Sequence, residues 1–251
     1  MHIFSPLLLI LTMMLAEATV LPGPLQVANT FSHIANELGH ISLGNCSLAH
    51  ACLPLKDTKV ALPDPSSHLT LKYITVGRGI QNYSCPSIHA SSRNTTTPKA
   101  IGAAATLFDA SCVASTSMNL LHELPAIAAR TPLGSLAFMA EMLSSTTNSS
   151  YLIVGEHYFD AAGDPFFNLK LSGHDDWMVA AKIASVSAPT RVYTTKTASK
   201  DVAWLSLKRK DGQGIKEVYR VMTFEGGAPS TCAGLNDTVI VDYAAEYWFY
   251  G

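Results

Sequence analysis

The sequence predicts a mainly β fold, an antiparallel sandwich or barrel with a helical insertion at about residues 114–147. Three observations carry that expectation. The closing stretch TVIVDYAAEYWFYG places Val239, Val241, Tyr243, Ala245, Tyr247 and Phe249 on one strand face, with Asp242 and Glu246 on an opposite, partly solvated face. Runs rich in β-branched and aromatic residues recur between Gly, Asp and Pro groups through the second half. After residue 150 there is no regular alternation of strand and crossover helix, which argues against a parallel doubly wound sheet.

The elements follow in order. Residues 1–18 hold the short apolar run IFSPLLLILTMMLA and end in Ala16-Glu17-Ala18, the pattern of a cleaved secretory signal. The run is shorter than the roughly 20 apolar residues that a membrane-spanning helix needs, and no later stretch reaches that length. Residues 19–62 read as an N-terminal strap tied down at Cys46, closed by the Pro-rich LPDPSS. Residues 63–251 read as a single β-rich domain.

Within that domain LTLKYITV is a first strand, VGRG a turn and IQNYSC a second strand. With a glycan on Asn82, Ile80 and Ser84 would also face outward, leaving Gln81, Tyr83 and Cys85 facing inward. IGAAATLFDASC follows as a strand. LLHELPAIAAR is helical and ends near Pro125 or Arg130, and Thr131-Pro132 then opens a helix with Leu133, Leu136, Ala137, Ala140 and Leu143 on one face. YLIVGEHYF, PFFNLKL, WMVAAKIASV, VAWLSLKR and IKEVYRVMTF are strands. Lys208-Arg209-Lys210, before Asp211-Gly212, reads as a solvated turn.

Composition sets the compartment and excludes some partners. Five Asn-x-Ser/Thr sequons, at Asn45, Asn82, Asn94, Asn148 and Asn236, accompany the leader and point to a eukaryotic secretory route. A formal net charge of −2 gives no electrostatic case for nucleic acid or an acidic membrane. Five cysteines (Cys46, Cys52, Cys85, Cys112 and Cys232) suit structural disulfides with one left over, and none forms a Cys-x-x-Cys zinc pair.

Gly77-x-Gly79 raises a nucleotide loop as an alternative. A dinucleotide fingerprint needs a third glycine at a helix start, where backbone amides meet the pyrophosphate. Ile80, Gln81 and Asn82 follow instead, so no coenzyme site is read here.

GRGIQNYSC, IGAAATLFDASC, VGEHYFD, DVAWLSL, VYRVMTFEGGAPSTC and YAAEYWFYG, in that order, resemble a family of secreted fungal and bacterial proteins of unknown function. Fungal members often carry the label "malate dehydrogenase". The resemblance implies the pairs Cys85–Cys232 and Cys46–Cys112, with Cys52 free. The enzyme label is given little weight, because the chain shows no cofactor fold and no arrangement of proton-accepting histidine and carboxylate-holding arginines.

Candidate site residues each carry two readings. His157, in Gly155-Glu156-His157-Tyr158, is a general base or ligand anchor, or else a structural histidine bonded to a backbone carbonyl. Asp109 accepts from His157 or Arg220, or caps the Ala-Ser-Cys turn. Arg220 holds a ligand carboxylate, or makes a cross-strand ion pair. Trp204, Tyr247 and Trp248 line an aromatic groove for a sugar or small apolar ligand, or are core packing. His174-Asp175-Asp176 reads as a solvated turn, and His122-Glu123 lacks the second histidine of a zinc-protease helix. No cofactor or metal is expected. The leading function is a non-catalytic extracellular or cell-wall-associated binding protein for a small molecule or glycan. The alternatives are a secreted enzyme centred on His157 and a malate dehydrogenase-like oxidoreductase.

Overall fold

A computed structural model describes residues 46–85, 93–147, 152–189 and 200–251. The expected signal segment, most of the strap, and the sequons Asn45 and Asn148 lie outside these residues. Eight antiparallel strands run in chain order and close on themselves, β8 pairing with β1. The strands are β1 (Leu71–Ser84), β2 (Lys99–Asp109), β3 (Ile153–Phe159), β4 (Pro165–Asn168), β5 (Trp177–Val186), β6 (Trp204–Gln213), β7 (Glu217–Glu225) and β8 (Thr238–Tyr250). Of the two expected architectures the fold is the barrel, and closure leaves no sheet edge unpaired.

Three helices lie between β2 and β3: α1 (Ser111–Thr116), α2 (Met118–Arg130) and α3 (Leu133–Thr147). The insertion therefore starts at Ser111 rather than 114. The Asp109 carboxylate accepts from the Ser111 amide at 2.9 Å, and this bond turns the chain from strand into helix. Ser117 caps α2 by accepting from the Leu120 amide. Leu121, Pro125 and Ala129, one turn apart, are buried against the barrel, and Pro125 sits within the helix rather than ending it. α2 lies over β8, β1 and β7. On α3, Ala140 is buried while Leu133 and Leu143 are exposed, so the face toward the barrel is narrower than the sequence suggests.

β1 corrects the reading of VGRG. Gly77 and Gly79 lie in the middle of one 14-residue strand, paired on both sides. A Cβ on Gly77 would meet the Tyr247 ring at 2.5 Å, and one on Gly79 would run into the Ala104 carbonyl. These glycines admit a crossing ring and a close neighbouring backbone. Their amides belong to the ladder, not to a phosphate. Lys208-Arg209-Lys210 is likewise not a turn, since β6 continues through it to Gln213 and pairs with β5.

The core is two-sided where the barrel is covered. Inside, Leu107, Phe167, Leu169, Met178, Leu207, Val218 and Phe249 pack together. Outside, the segment before β1 crosses β7: the Tyr219 hydroxyl donates to Pro63 O at 3.0 Å, and Ser66 donates to Glu217 through its amide and hydroxyl. This cover, with α2, makes β8 buried on both faces from Tyr243 to Tyr250. Glu246 is thus fully buried rather than solvated. It accepts from His122 Nδ1 of α2 at 2.8 Å and from Trp248 Nε1 at 2.9 Å. Asp176 is also buried, accepting from Lys72 and the Tyr73 hydroxyl, so the His174-Asp175-Asp176 stretch is not a wholly solvated turn. Disulfides join Cys46 to Cys112 and Cys85 to Cys232, and Cys52 is free and exposed.

Candidate functional site

One end of the barrel interior is polar. His157 lies at the level where β3 pairs with β2, its inward neighbours being Ala105 and Phe167. The ring stacks on Phe167 with centroids 4.3 Å apart, and Nδ1 donates to Phe166 O at 2.9 Å. Tyr247 stands 5.8 Å from it, and the Tyr247 and Tyr243 hydroxyls share a hydrogen bond of 2.7 Å. Arg220, opposite Tyr247 on β7, donates through Nε and Nη2 to Ala203 O, not to a cross-strand carboxylate. Its charge is felt at His157, Tyr83, Tyr243 and Tyr247. Nearby, β7 holds two non-glycine residues with positive φ: Met222 (47°), at the bulge where its pairing with β8 shifts, and Glu225 (61°), at the strand end.

The sequence candidates therefore divide. His157, Arg220 and Tyr247 converge inside the barrel. Asp109 does not join them, being engaged at the start of α1. Trp204, Tyr247 and Trp248 form no groove: all are buried, and Trp248 and Tyr247 point to opposite faces of β8. For Trp248 the physical reason is the cover over β8, which makes an outward aromatic part of a second core layer, whereas Tyr247 belongs to the barrel interior.

This cluster is poorly suited to proton transfer. His157 is 4% exposed, and burial, reinforced by the Arg220 charge, pushes its pKa down to about 4 against the pull of the Phe166 hydrogen bond. Burial raises the Tyr243 and Tyr247 hydroxyls above their ordinary value. A general base works best with a pKa near the operating pH, and none of these groups has one near neutrality.

The reverse side of the same strands is open. Two rows of outward residues cross the sheet in register: Ile80, Ala104, Tyr158 and Phe166, and beside them Arg78, Thr106, Glu156 and Asn168. Ala104 is the low point, flanked by the larger Ile80 and Tyr158. Over it lies a groove of about 470 Å³ lined by Arg78, Thr106, Leu133, Glu156, Tyr158 and Asp242, and also bordered by His157, which is 4% exposed and whose ring is stacked on Phe167. Arg78 is held by Gly79 O at 2.7 Å and Asp242 at 2.9 Å, and its Nε reaches Thr131 O in the α2–α3 link. Tyr158 packs on Phe166, which stacks on Trp177, and Lys170 sits over the Trp177 ring.

Over residues 65–251 the sequence matches the family described as "Protein of unknown function (DUF3455)". The chain belongs to that family. No curated protein and no solved structure matches it. The family span takes in every strand, both faces of the polar cluster, and the groove.

Tyr158, Arg78 and Asp242 are groove residues that were not evident from sequence, although Glu156 and Tyr158 flank His157. A signal was present in strand parity: if His157 points inward, Glu156 and Tyr158 must point outward. Nor was the role of His122 evident, because the partner that gives His122 a role, Glu246, lies 124 residues away. Among the described sequons Asn94 and Asn236 are exposed, whereas Asn82 is half-buried with its side-chain oxygen shielded. No helix among the described residues is long and apolar enough to cross a membrane.

Proposed function

We propose that this chain is a secreted, non-catalytic binding protein of the cell exterior or wall, and that it holds a small molecule or glycan unit in the groove over Ala104. The carrying observation is the division of chemistry between the two faces of β1–β3. His157 and the Tyr243 and Tyr247 hydroxyls are turned into the barrel and satisfied there, so the histidine-centred cluster does not face the groove. The water-facing side offers a groove whose volume, about 470 Å³, falls in the range that small ligands occupy. Its lining suits a polyhydroxylated ligand. The Tyr158 ring offers an apolar surface for a sugar face, while Thr106, Glu156 and Asp242 offer acceptors for hydroxyl groups.

Titration calorimetry of the disulfide-intact protein against short oligosaccharides, with retention on insoluble wall polysaccharide, tests this reading. Binding lost in Tyr158→Ala and kept in His157→Asn supports it. Turnover of a sugar that disappears in His157→Asn would instead establish the enzyme alternative, and the absence of any sugar binding refutes the glycan reading.

A further inference from the structure

We infer that the groove prefers sugars carrying a protonated amine, an inference that rests on the proposed sugar-binding role. The charges lining the groove do not balance. Arg78 is almost enclosed, its side chain 8% exposed, and its donors are directed to Asp242, Gly79 O and Thr131 O. It neutralises Asp242 and has little left for a ligand. Among the described residues Glu156 has no such partner. It is exposed, and its Oε1 accepts from the neutral amide of Asn168, at 3.2 Å. The described lining of the groove thus carries an uncompensated negative charge, placed between Thr106 and Asn168 and next in sequence to His157-Tyr158.

The aromatic row fixes how such a ligand lies. Tyr158, Phe166 and Trp177 pack in sequence, and Lys170 already occupies the Trp177 end, 5.6 Å from the ring centroid. At the other end the neighbour of Tyr158 across the ladder is Ala104, whose methyl leaves that side of the ring bordering the groove. A hexosamine unit packed there presents its C–H face to Tyr158 and its hydroxyls to Thr106 and Asp242. Its ammonium group reaches Glu156, where it gains a charge-assisted hydrogen bond. Acetylation of the amine removes both the charge and two of its three donors. A neutral hexose keeps the stacking and loses the ion pair.

The full disulfide-bonded chain is titrated with a glucosamine trisaccharide, its N-acetylated counterpart, a glucose trisaccharide and ethanolamine, each at low and high salt. Because Glu156 is solvent-exposed, the expected preference for the amino sugar is modest, roughly two- to five-fold, and it shrinks with salt. Glu156→Gln should abolish the preference, weakening the amino sugar more than the neutral ones, whereas Tyr158→Ala should weaken all three sugars. Equal affinity for the three sugars, with Glu156→Gln silent, overturns the amine preference and leaves the sugar-binding role standing. Ethanolamine binding as tightly as the trisaccharide overturns the sugar part. If no sugar binds, both readings fall.

Discussion

His157 should make this barrel acid-sensitive, and by an amount that follows from its surroundings. The ring is stacked on Phe167, bonded to Phe166 O and within the field of Arg220, so protonation inside the barrel is opposed until the pH falls to about 4. In the unfolded chain the same ring takes a proton near pH 6.5. The folded pKa lies below the unfolded one. Stability is therefore complete above pH 6.5 and is lost as the pH falls from there toward 4, because only the unfolded state gains the proton. At about 1.4 kcal/mol per decade, the loss at pH 4 comes to about 3 kcal/mol. Urea unfolding at pH 7, 6, 5 and 4 measures it, with His157→Asn as the control. Asparagine keeps an amide donor toward Phe166 O and does not titrate. The variant should be the less stable at pH 7, having lost the stacked ring, and the gap should close by about 3 kcal/mol by pH 4. Parallel profiles for the two proteins would show that His157 is not excluded from protonation, and would reopen it as an accessible acid–base group.

Other consequences are as direct. His122→Ala strands the Glu246 carboxylate, fully buried, with only the Trp248 N–H; a loss of about 3 kcal/mol is expected, and adding Glu246→Gln should restore part of it in equilibrium unfolding. Gly79→Ala drives a methyl into the Ala104 carbonyl and should cost about 1–3 kcal/mol, whereas the same change at Gly134 on α3, which meets nothing within 4 Å, should be neutral or stabilising in a melting comparison. Cys85→Ser with Cys232→Ser opens a bridge spanning 147 residues and should cost about 2–5 kcal/mol, while Cys52→Ser should leave the melting temperature unchanged.

Strand identity was legible because it is a local property. The alternation in TVIVDYAAEYWFY and the inward set Gln81, Tyr83 and Cys85 need no knowledge of the partner strand, only the two-residue repeat of the backbone. The Thr131-Pro132 helix start is similarly local: Pro132 O accepts from the Leu136 amide in the first turn of α3. VGRG misleads because glycine has two uses that look alike in one dimension. Its freedom of φ suits a turn, and its missing Cβ suits a close approach; here the Tyr247 ring and the Ala104 carbonyl, contributed by distant strands, select the second.

The sequence alone determined a β-rich, disulfide-suited chain with a helical insertion, because composition and side-chain periodicity are carried by neighbours in the chain. Only tertiary structure decided which outward faces meet water. α2 and the residues before β1 cover β7 and β8, so Trp248 and Glu246 become buried, while the outer side of β1–β3 keeps its groove. Burial is set by what a folded chain lays over a surface, and no repeat of two or of 3.6 residues encodes that covering.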